Sequence, residues 1–423
     1  MTVDAHALVI GGGPAGASAA ILLANAGWRV VLAEQHAYPR QKVCGECIAA
    51  GNLPLLDELG VGLDFRRMAG TSLREVGWMS AGATIVGQLP RAVGRDGFGK
   101  ALGRDKLDSL LLERARALGV CVLQPATVRS VVGNIGRFEC YIETRRRSVD
   151  GPMRDPTPPM LISARVVIDA HGSWEAGPSF GDRSADSSRR EVQRASDLFA
   201  FKASFQGSGL TPGLLPVLAF NGGYGGMVVA ESGRTTLACC IRRDVLKSSR
   251  AFEPQPTAGL AVEAMLRRSC RDLSDVLRNT QREGPWLAVG PIRPGIRLQA
   301  PRSGVFRIGN AAGESHPLIG EGISMALQSS AMLVGLLTVE SIGALDAHRA
   351  SLLQRRYAIA WQNAFASRVR LAALYAHVAM RPTLAFSVGA LFRRWPALLT
   401  GAARLAGKAR HSINPLLLSG ESV

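Results

Sequence analysis

A chain of 423 residues, 47% hydrophobic and 20% charged, is long enough for two or three domains with their own cores, which excludes a disordered or fibrous protein. No apolar run approaches the roughly 20 residues that span a bilayer, and no basic stretch precedes an apolar one at the start, so neither a membrane span nor a signal peptide is expected. The net charge of +17 asks for an anionic partner or surface, but no nucleic-acid-binding pattern accompanies it, and seven scattered cysteines suit reduced thiols in a cytoplasmic protein.

The first elements in chain order carry the most information. Ala7 to Ile10 is an apolar run of strand length, followed by Gly11-Gly12-Gly13-Pro14-Ala15-Gly16, a helical stretch to Asn25 and a second strand from Trp28 to Ala33 that ends at Glu34-Gln35. Gly11 permits the tight turn, Gly13 lets backbone approach a pyrophosphate, and Gly16 lets helix and strand pack closely. The helix start at Pro14 and Ala15 offers unpaired N–H groups and a positive dipole end to phosphates. Glu34 stands where a carboxylate holds ribose hydroxyls. The unit from His6 to Glu34 therefore predicts a dinucleotide site.

A loop from Gln41 to Gly51 follows, with Cys44-Gly45-Glu46-Cys47 in it, then a short helix from Leu53 to Leu59 and a longer one beginning near Arg104. Val120 to Leu123, Thr127 to Val132 and Phe138 to Glu143 read as strands, and the polar excursion from Arg145 to Pro159 as an exposed hairpin tip. Ala164 to Ala170 forms another apolar strand. Between Ser184 and Trp286 short alternating runs predict antiparallel sheet, broken by a helix near Leu260 to Arg268. Parallel-strand texture returns at Val305 to Ile308, and a long helix starts at Glu321.

The expected organisation has four parts. A nucleotide-binding domain spans residues 1–183, with residues 76–100 contributing to the second domain. An antiparallel substrate domain spans 184–286, the first domain resumes over 287–344, and a basic helical region covers 345–423. That last region holds ten Lys or Arg from Ser351 onward and one acid, Glu421. Its arginines interleave with apolar stretches, a pattern that suits a foot on an anionic membrane, a lid over the pocket, or a dimer contact. The oligomeric state is left open.

Three separated motifs resemble those of the flavoproteins that include aromatic hydroxylases, geranylgeranyl reductases and flavin-dependent halogenases. They are Gly11 to Ser18, Asp169-Ala170-His171-Gly172-Ser173, and Gly309 to Ile323, with Asn310, Pro317, Gly320 and Gly322 inside the third. The resemblance implies an α/β fold with a Rossmann-like FAD-binding domain of the glutathione-reductase type, an inserted antiparallel substrate sheet and a helical tail. It also implies bound FAD, with Asp169 and Gly172 at the strand end and Arg104 of an Arg-x-x-Leu-Asp helix reaching the pyrophosphate. Asn310 stands where the family usually has Asp. Gly320, Gly322 and Ile323 open a helix whose positive end faces the flavin ring.

In geranylgeranyl reductases a Cys-Gly pair faces the flavin, which carries Cys44 and Gly45 over as ring contacts. Cys44 also reads as a catalytic thiol or, with Cys47, as a redox pair. Glu46 and His316 are the candidate acid or base groups, and no spacing suggests a metal site. Phe201, Phe220 and Tyr224 are expected to line a lipophilic substrate pocket. Only Tyr224 of the reductase signature Tyr-x-Trp-x-Phe-Pro is present, and the halogenase signature Trp-x-Trp-x-Ile-Pro is absent.

The leading expectation is a monooxygenase that hydroxylates a lipophilic aromatic or polyketide-like molecule in a dry pocket. Reduction of isoprenoid or lipid C=C bonds comes second, halogenation third, and a flavin-binding sensor without turnover last. Electrons are expected from transiently docked NAD(P)H or from an external reductase, since no second Gly-x-Gly-x-x-Gly unit is present.

Overall fold

The structure, a computed structural model, describes residues 2–94, 96–144, 159–181, 193–252, 255–298, 304–339 and 346–407. Of the hairpin tip expected at Arg145 to Pro159, all but Pro159 lies outside these residues.

Thr2–Ile10 is the central strand of an eight-stranded sheet, paired in parallel with Met160–Asp169 on one side and Val30–Ala33 on the other. A parallel strand with neighbours on both edges and layers on both faces needs a continuous apolar run. Ala7, Leu8 and Val9 are accordingly inaccessible to solvent. Alternation divides the two faces: Ala7 and Val9 meet the helices Pro14–Asn25, Arg104–Ala117 and Gly322–Leu337, whereas Leu8 and Ile10 meet the ribbon Ala126–Asn134 and Arg137–Thr144.

The helix Gly322–Leu337 is apolar all round because it is sandwiched. The Ala- and Gly-rich first helix packs on one side of it and the 33-residue helix Ala347–Ala379 on the other. Tyr357, Trp361 and Phe365 of that long helix enter the same core.

A second, seven-stranded sheet takes the last two strands on one side, Glu75–Met79 and the edge strand Ile85–Gln88, from early in the chain. The rest are Gln281–Ile292, Leu198–Gln206, Thr235–Arg242, Gly223–Val229 and Leu214–Phe220, antiparallel to one another. Period-2 alternation gives it two unlike faces. Phe199, Phe201, Ala203 and Phe205 pack with Leu218 and Phe220 beneath the helices Arg243–Phe252, Ala258–Ser269 and Arg271–Val276. The opposite face carries Ala200, Lys202 and Tyr224. The helices Pro382–Arg394 and Ala397–Leu405 roof its far end, where Trp78 meets Phe392 edge-on at 5.7 Å between ring centres. The helical tail is therefore packed against both sheets.

One buried ionic cluster joins the two layers. Glu46, in the loop between the layers, adopts a left-handed backbone at φ 59° and is wholly inaccessible. Its carboxylate accepts from Lys202 Nζ and from Thr236 Oγ1 at 2.5 Å, both on the second sheet, and from the Arg104 N–H at 3.2 Å. The Arg234 guanidinium lies 3.6 Å away and pairs with Glu231 at 2.5 Å. Burial pushes the Glu46 carboxyl up, but the charges of Lys202 and Arg234 and the donated hydrogen bonds outweigh it and hold the group below its ordinary range. Glu46 is thus ionised and engaged on both oxygens. The residue expected as an acid or base thereby clamps the two layers together, and it also lines the cavity described below.

Removing one partner of a buried pair leaves an uncompensated charge. Lys202→Met is expected to lower unfolding stability by about 3–5 kcal/mol, and the double variant Lys202→Met/Glu46→Gln by clearly less. Urea unfolding of the three proteins checks this, and a double variant as unstable as the single one contradicts it.

Candidate active site

The first strand, the first helix and the helix from Gly322 converge on a cavity of about 400 Å³. Sixteen of the eighteen residues expected to hold the cofactor line it, from Gly11, Gly13, Pro14 and Ala15 through Glu34, Gln35 and Arg104 to Gly320, Gly322 and Ile323. Gly16 and Asp169 do not.

Gly16 serves packing instead. A Cβ on it would lie 1.9 Å from the Gly11 carbonyl oxygen, so only glycine fits where helix meets strand. Gly11 has φ 103°, and its own Cβ would lie 2.5 Å from the Ala170 carbonyl oxygen. Asp169 sits one layer below the wall. Its Oδ1 lies 2.5 Å from His171 Nδ1, and Arg307 is 3.6 Å from its other oxygen. It thereby sets the turn that places His171 and Gly172 on the cavity wall.

At the nucleotide end, Glu34 accepts from the N–H of Gly12 at 2.7 Å and of His36 at 2.9 Å, which fixes its carboxylate at the strand end. Arg104 is held by Asp108 through two 2.7 Å hydrogen bonds, and its guanidinium lies 3.7 Å from the place a Gly13 Cβ would take. Burial lowers the pKa of Arg104, yet the Asp108 carboxylate outweighs this and keeps it charged. A fixed cation beside a glycine turn and a helix N-terminus is a fit for a pyrophosphate. At the other end Asn310 donates weakly to Ser173 Oγ at 3.4 Å and Glu314 at 3.3 Å. Gly320 has φ 62°, and a Cβ on Gly322 would meet nothing within 4 Å, which leaves room for a flat ring against backbone.

A second cavity of about 340 Å³, lined almost wholly by apolar groups, adjoins the first. Val43, Cys44, Gly45, Cys47, Trp174, Pro317 and Gly320 line both. The far walls come from Trp78, Leu215, Tyr224 and Met227 of the second sheet and from Leu374, Phe392 and Leu399 of the C-terminal helices. Those helices therefore roof the cavity, one of the three roles left open for them.

Tyr224 stands in this cavity as expected. Phe201 and Phe220 do not: strand alternation turns them to the opposite face of the sheet, among the outer helices. The aromatic lining comes instead from Trp78, Trp174, Tyr375 and Phe392. Trp174 sits on the shared wall and donates to Glu314 at 3.1 Å. Its only sequence signal was its place right after the Asp169 motif.

Tyr224 Oη and His316 Nδ1 are 2.9 Å apart beside the shared wall. Burial lowers the His316 pKa to about 4, so the imidazole is neutral at pH 7, and burial raises that of Tyr224 well above 10. Neither Cys44 nor Cys47 is in a disulfide, and Cys44 Sγ accepts from the Glu46 N–H at 3.3 Å.

Residues 4–150 match the family model described as an FAD binding domain. A 24% identical relative, conditioned medium factor receptor 1 of Dictyostelium discoideum, aligns with 97% of this chain and 79% of its own length. A 1H-pyrrole-2-carbonyl-(peptidyl-carrier protein) chlorinase of Pseudomonas fluorescens is 27% identical over 40% of this chain and 39% of its own length. Among solved structures, the flavin-dependent brominase Bmp2 superposes with TM-score 0.68 at 16% identity, covering 99% of this chain and 98% of that one. The myxobacterial chondrochloren halogenase CndH gives 0.69 at 18%, covering 94% and 91%. PqsL of Pseudomonas aeruginosa, a probable FAD-dependent monooxygenase, gives 0.63 at 19%, covering 96% and 99%.

Identities this low establish the fold. Residues 4–150 form an FAD-binding domain, the cavity is shaped for the pyrophosphate and ring of FAD, and the fold is one that halogenases, monooxygenases and a geranylgeranyl reductase-like protein share. Bound FAD is this chain's cofactor.

The depressed His316 pKa has a thermodynamic consequence. The folded state binds fewer protons there than the unfolded state between pH 6.5 and about 4, so stability falls as pH drops through that window. Urea midpoints of wild type and His316→Gln over pH 4–7 are expected to diverge toward acid, on the order of 2 kcal/mol. Parallel pH profiles for the two proteins contradict the assignment.

Proposed function

We propose that the protein is an FAD-dependent halogenase acting on an electron-rich aromatic ring held in the apolar cavity. The observation that carries oxidation of a ring beside the flavin is the junction itself: an apolar cavity sharing the Cys44, Gly45, Trp174 and Pro317 wall with the FAD cavity. Support for halogen transfer comes from the relatives and structures named as halogenases, beginning with the Pseudomonas chlorinase and the two superposed halogenases. Bound FAD, once reduced, supplies two electrons for oxygen. The overall change is then R–H, halide, O₂, reduced flavin and one proton giving R–halogen, oxidised flavin and two waters.

This chain's residues would hold the parts in place. Arg104 and the N–H groups after Gly13 bind the pyrophosphate, Glu34 the ribose, and Asn310 with Gly320 and Gly322 the ribityl and ring side. The C-terminal helices keep water from the substrate. Tyr224, which lines the apolar cavity, would pass the proton that the ring carbon releases to neutral His316, to which it is hydrogen-bonded.

A second reading, hydroxylation of the same class of substrate, is favoured by the contiguity of the cavities, which would let oxygen transfer without a relay. NAD(P)H or a partner reductase supplies electrons in either case. The test supplies FAD, a flavin reductase and bromide or chloride with a panel of phenols, indoles and pyrroles, and reads product mass. Halogenated product that vanishes without halide supports the proposal. Product heavier by one oxygen, formed with or without halide, assigns the monooxygenase instead. Turnover of an unsaturated lipid without oxygen contradicts both.

A further inference from the structure

Among the described residues, the C-terminal helices bury one face and leave another exposed. Ala385, Gly389 and Phe392 of the first short helix and Leu399, Ala403 and Ala406 of the second face the body of the protein. Beside that face lie Leu384 and Leu391 on the first helix and Leu398 and Leu405 on the second, exposed by 39%, 42%, 44% and 59%. Phe386 is 74% and Trp395 51% exposed. Single apolar residues on a surface are ordinary, but this many on two consecutive helices form a patch that has an occupant.

Charge selects that occupant. Arg381, Arg393, Arg394 and Arg404 are exposed around the patch, and the sequence has no Asp or Glu from Ser351 to Gly420. A second copy of a chain carrying +17 would bring like charges together, so self-association is disfavoured. An anionic lipid surface satisfies both halves of the pattern, leucines and aromatics entering the acyl boundary while arginines meet headgroups. Trp395, with the Arg394 guanidinium 5.3 Å from its ring centre, has the amphipathic character of residues at that boundary. Among the described residues no helix is long and apolar enough to cross a membrane, so such contact is at the surface.

The patch also lies beside an opening of the substrate cavity. Leu374 lines that cavity and is 56% exposed, and Val388 and Ala402, which also line it, are half-buried on the same two helices. We propose that the helices Pro382–Arg394 and Ala397–Leu405 seat the protein on an anionic membrane surface, and that a membrane-partitioned aromatic substrate enters the cavity past Leu374. The entry route rests on reading the apolar cavity as the substrate's; the docking does not.

The experiment sediments FAD-loaded protein with vesicles of phosphatidylcholine alone or mixed with phosphatidylglycerol. Binding to the anionic vesicles is expected to exceed that to the neutral ones by about tenfold at low salt, and to fall severalfold in ~0.5 M NaCl. Phe386→Glu/Leu398→Glu and, separately, Arg393→Glu/Arg394→Glu are expected to abolish that preference while retaining the bound-FAD absorbance. These four residues do not line either cavity, so turnover of a water-soluble substrate is unchanged. Equal binding to both vesicles overturns the proposal, as does binding that survives both variants. So does a dimer that the Phe386/Leu398 variant dissociates, or capture by an acidic carrier protein with no vesicle binding. Vesicle binding without any halogenated or hydroxylated product would sink the reaction and leave the docking standing; product without vesicle binding would do the reverse.

Discussion

The arrangement hangs on the Glu46 carboxylate. It is buried and ionised at the point where the loop Gln41 to Gly51 passes between the two sheets, and its donors come from both layers: Lys202 and Thr236 from one, the start of the Arg104 helix from the other. A buried ion pair is weak evidence for added stability, because desolvation offsets most of the Coulomb gain. Its contribution is positional. With Glu46 fixed in a left-handed conformation, Cys44 and Gly45 have one place to go, the wall shared by the FAD cavity and the apolar cavity.

Both cavities depend on the same alternation that builds the sheets. The second sheet gives its bulky phenylalanines to the outer helices and keeps Ala200, Gly226 and Ala238 on the face with Tyr224, which leaves a hollow. The C-terminal helices close that hollow. The long helix is locked to the FAD-binding side by Trp361 and Phe365 in its core and by Arg368, which donates to Gln328 at 2.9 Å and to Glu321 at 3.4 Å. Glu321 immediately precedes the helix that faces the flavin end of the cavity, so its contact with Arg368 ties roof to cofactor site.

Much of this was legible in the sequence. The glycine motif, its acid and the two later motifs carry their spacing openly, because each glycine answers a local backbone demand, and nearly all of the expected cofactor residues line one cavity. Side-chain direction on the second sheet was not legible. Phe201 and Tyr224 both sit on apolar strands, and which face is inside depends on a register set by distant strands. Glu46 was visible as an unusual acid in a Cys-rich loop, but its partners lie 156 and 190 residues away in sequence, so clamp and catalyst looked alike. For the tail, helical periodicity was clear, yet it could not tell a roof from a membrane foot, since each short helix presents one face to the cavity and another to solvent.

The chemistry proposed above requires a flavin ring at the Cys44–Gly45 wall that looks into the apolar cavity beneath the C-terminal helices. The most direct test is a crystal structure of the FAD-loaded protein soaked with an electron-rich aromatic. The account predicts the ring system of FAD against Gly45, Trp174 and Pro317, with the aromatic beside Tyr224 and Phe392. A flavin ring turned away from that wall, or an aromatic bound outside the cavity while the cavity holds only water, would contradict it.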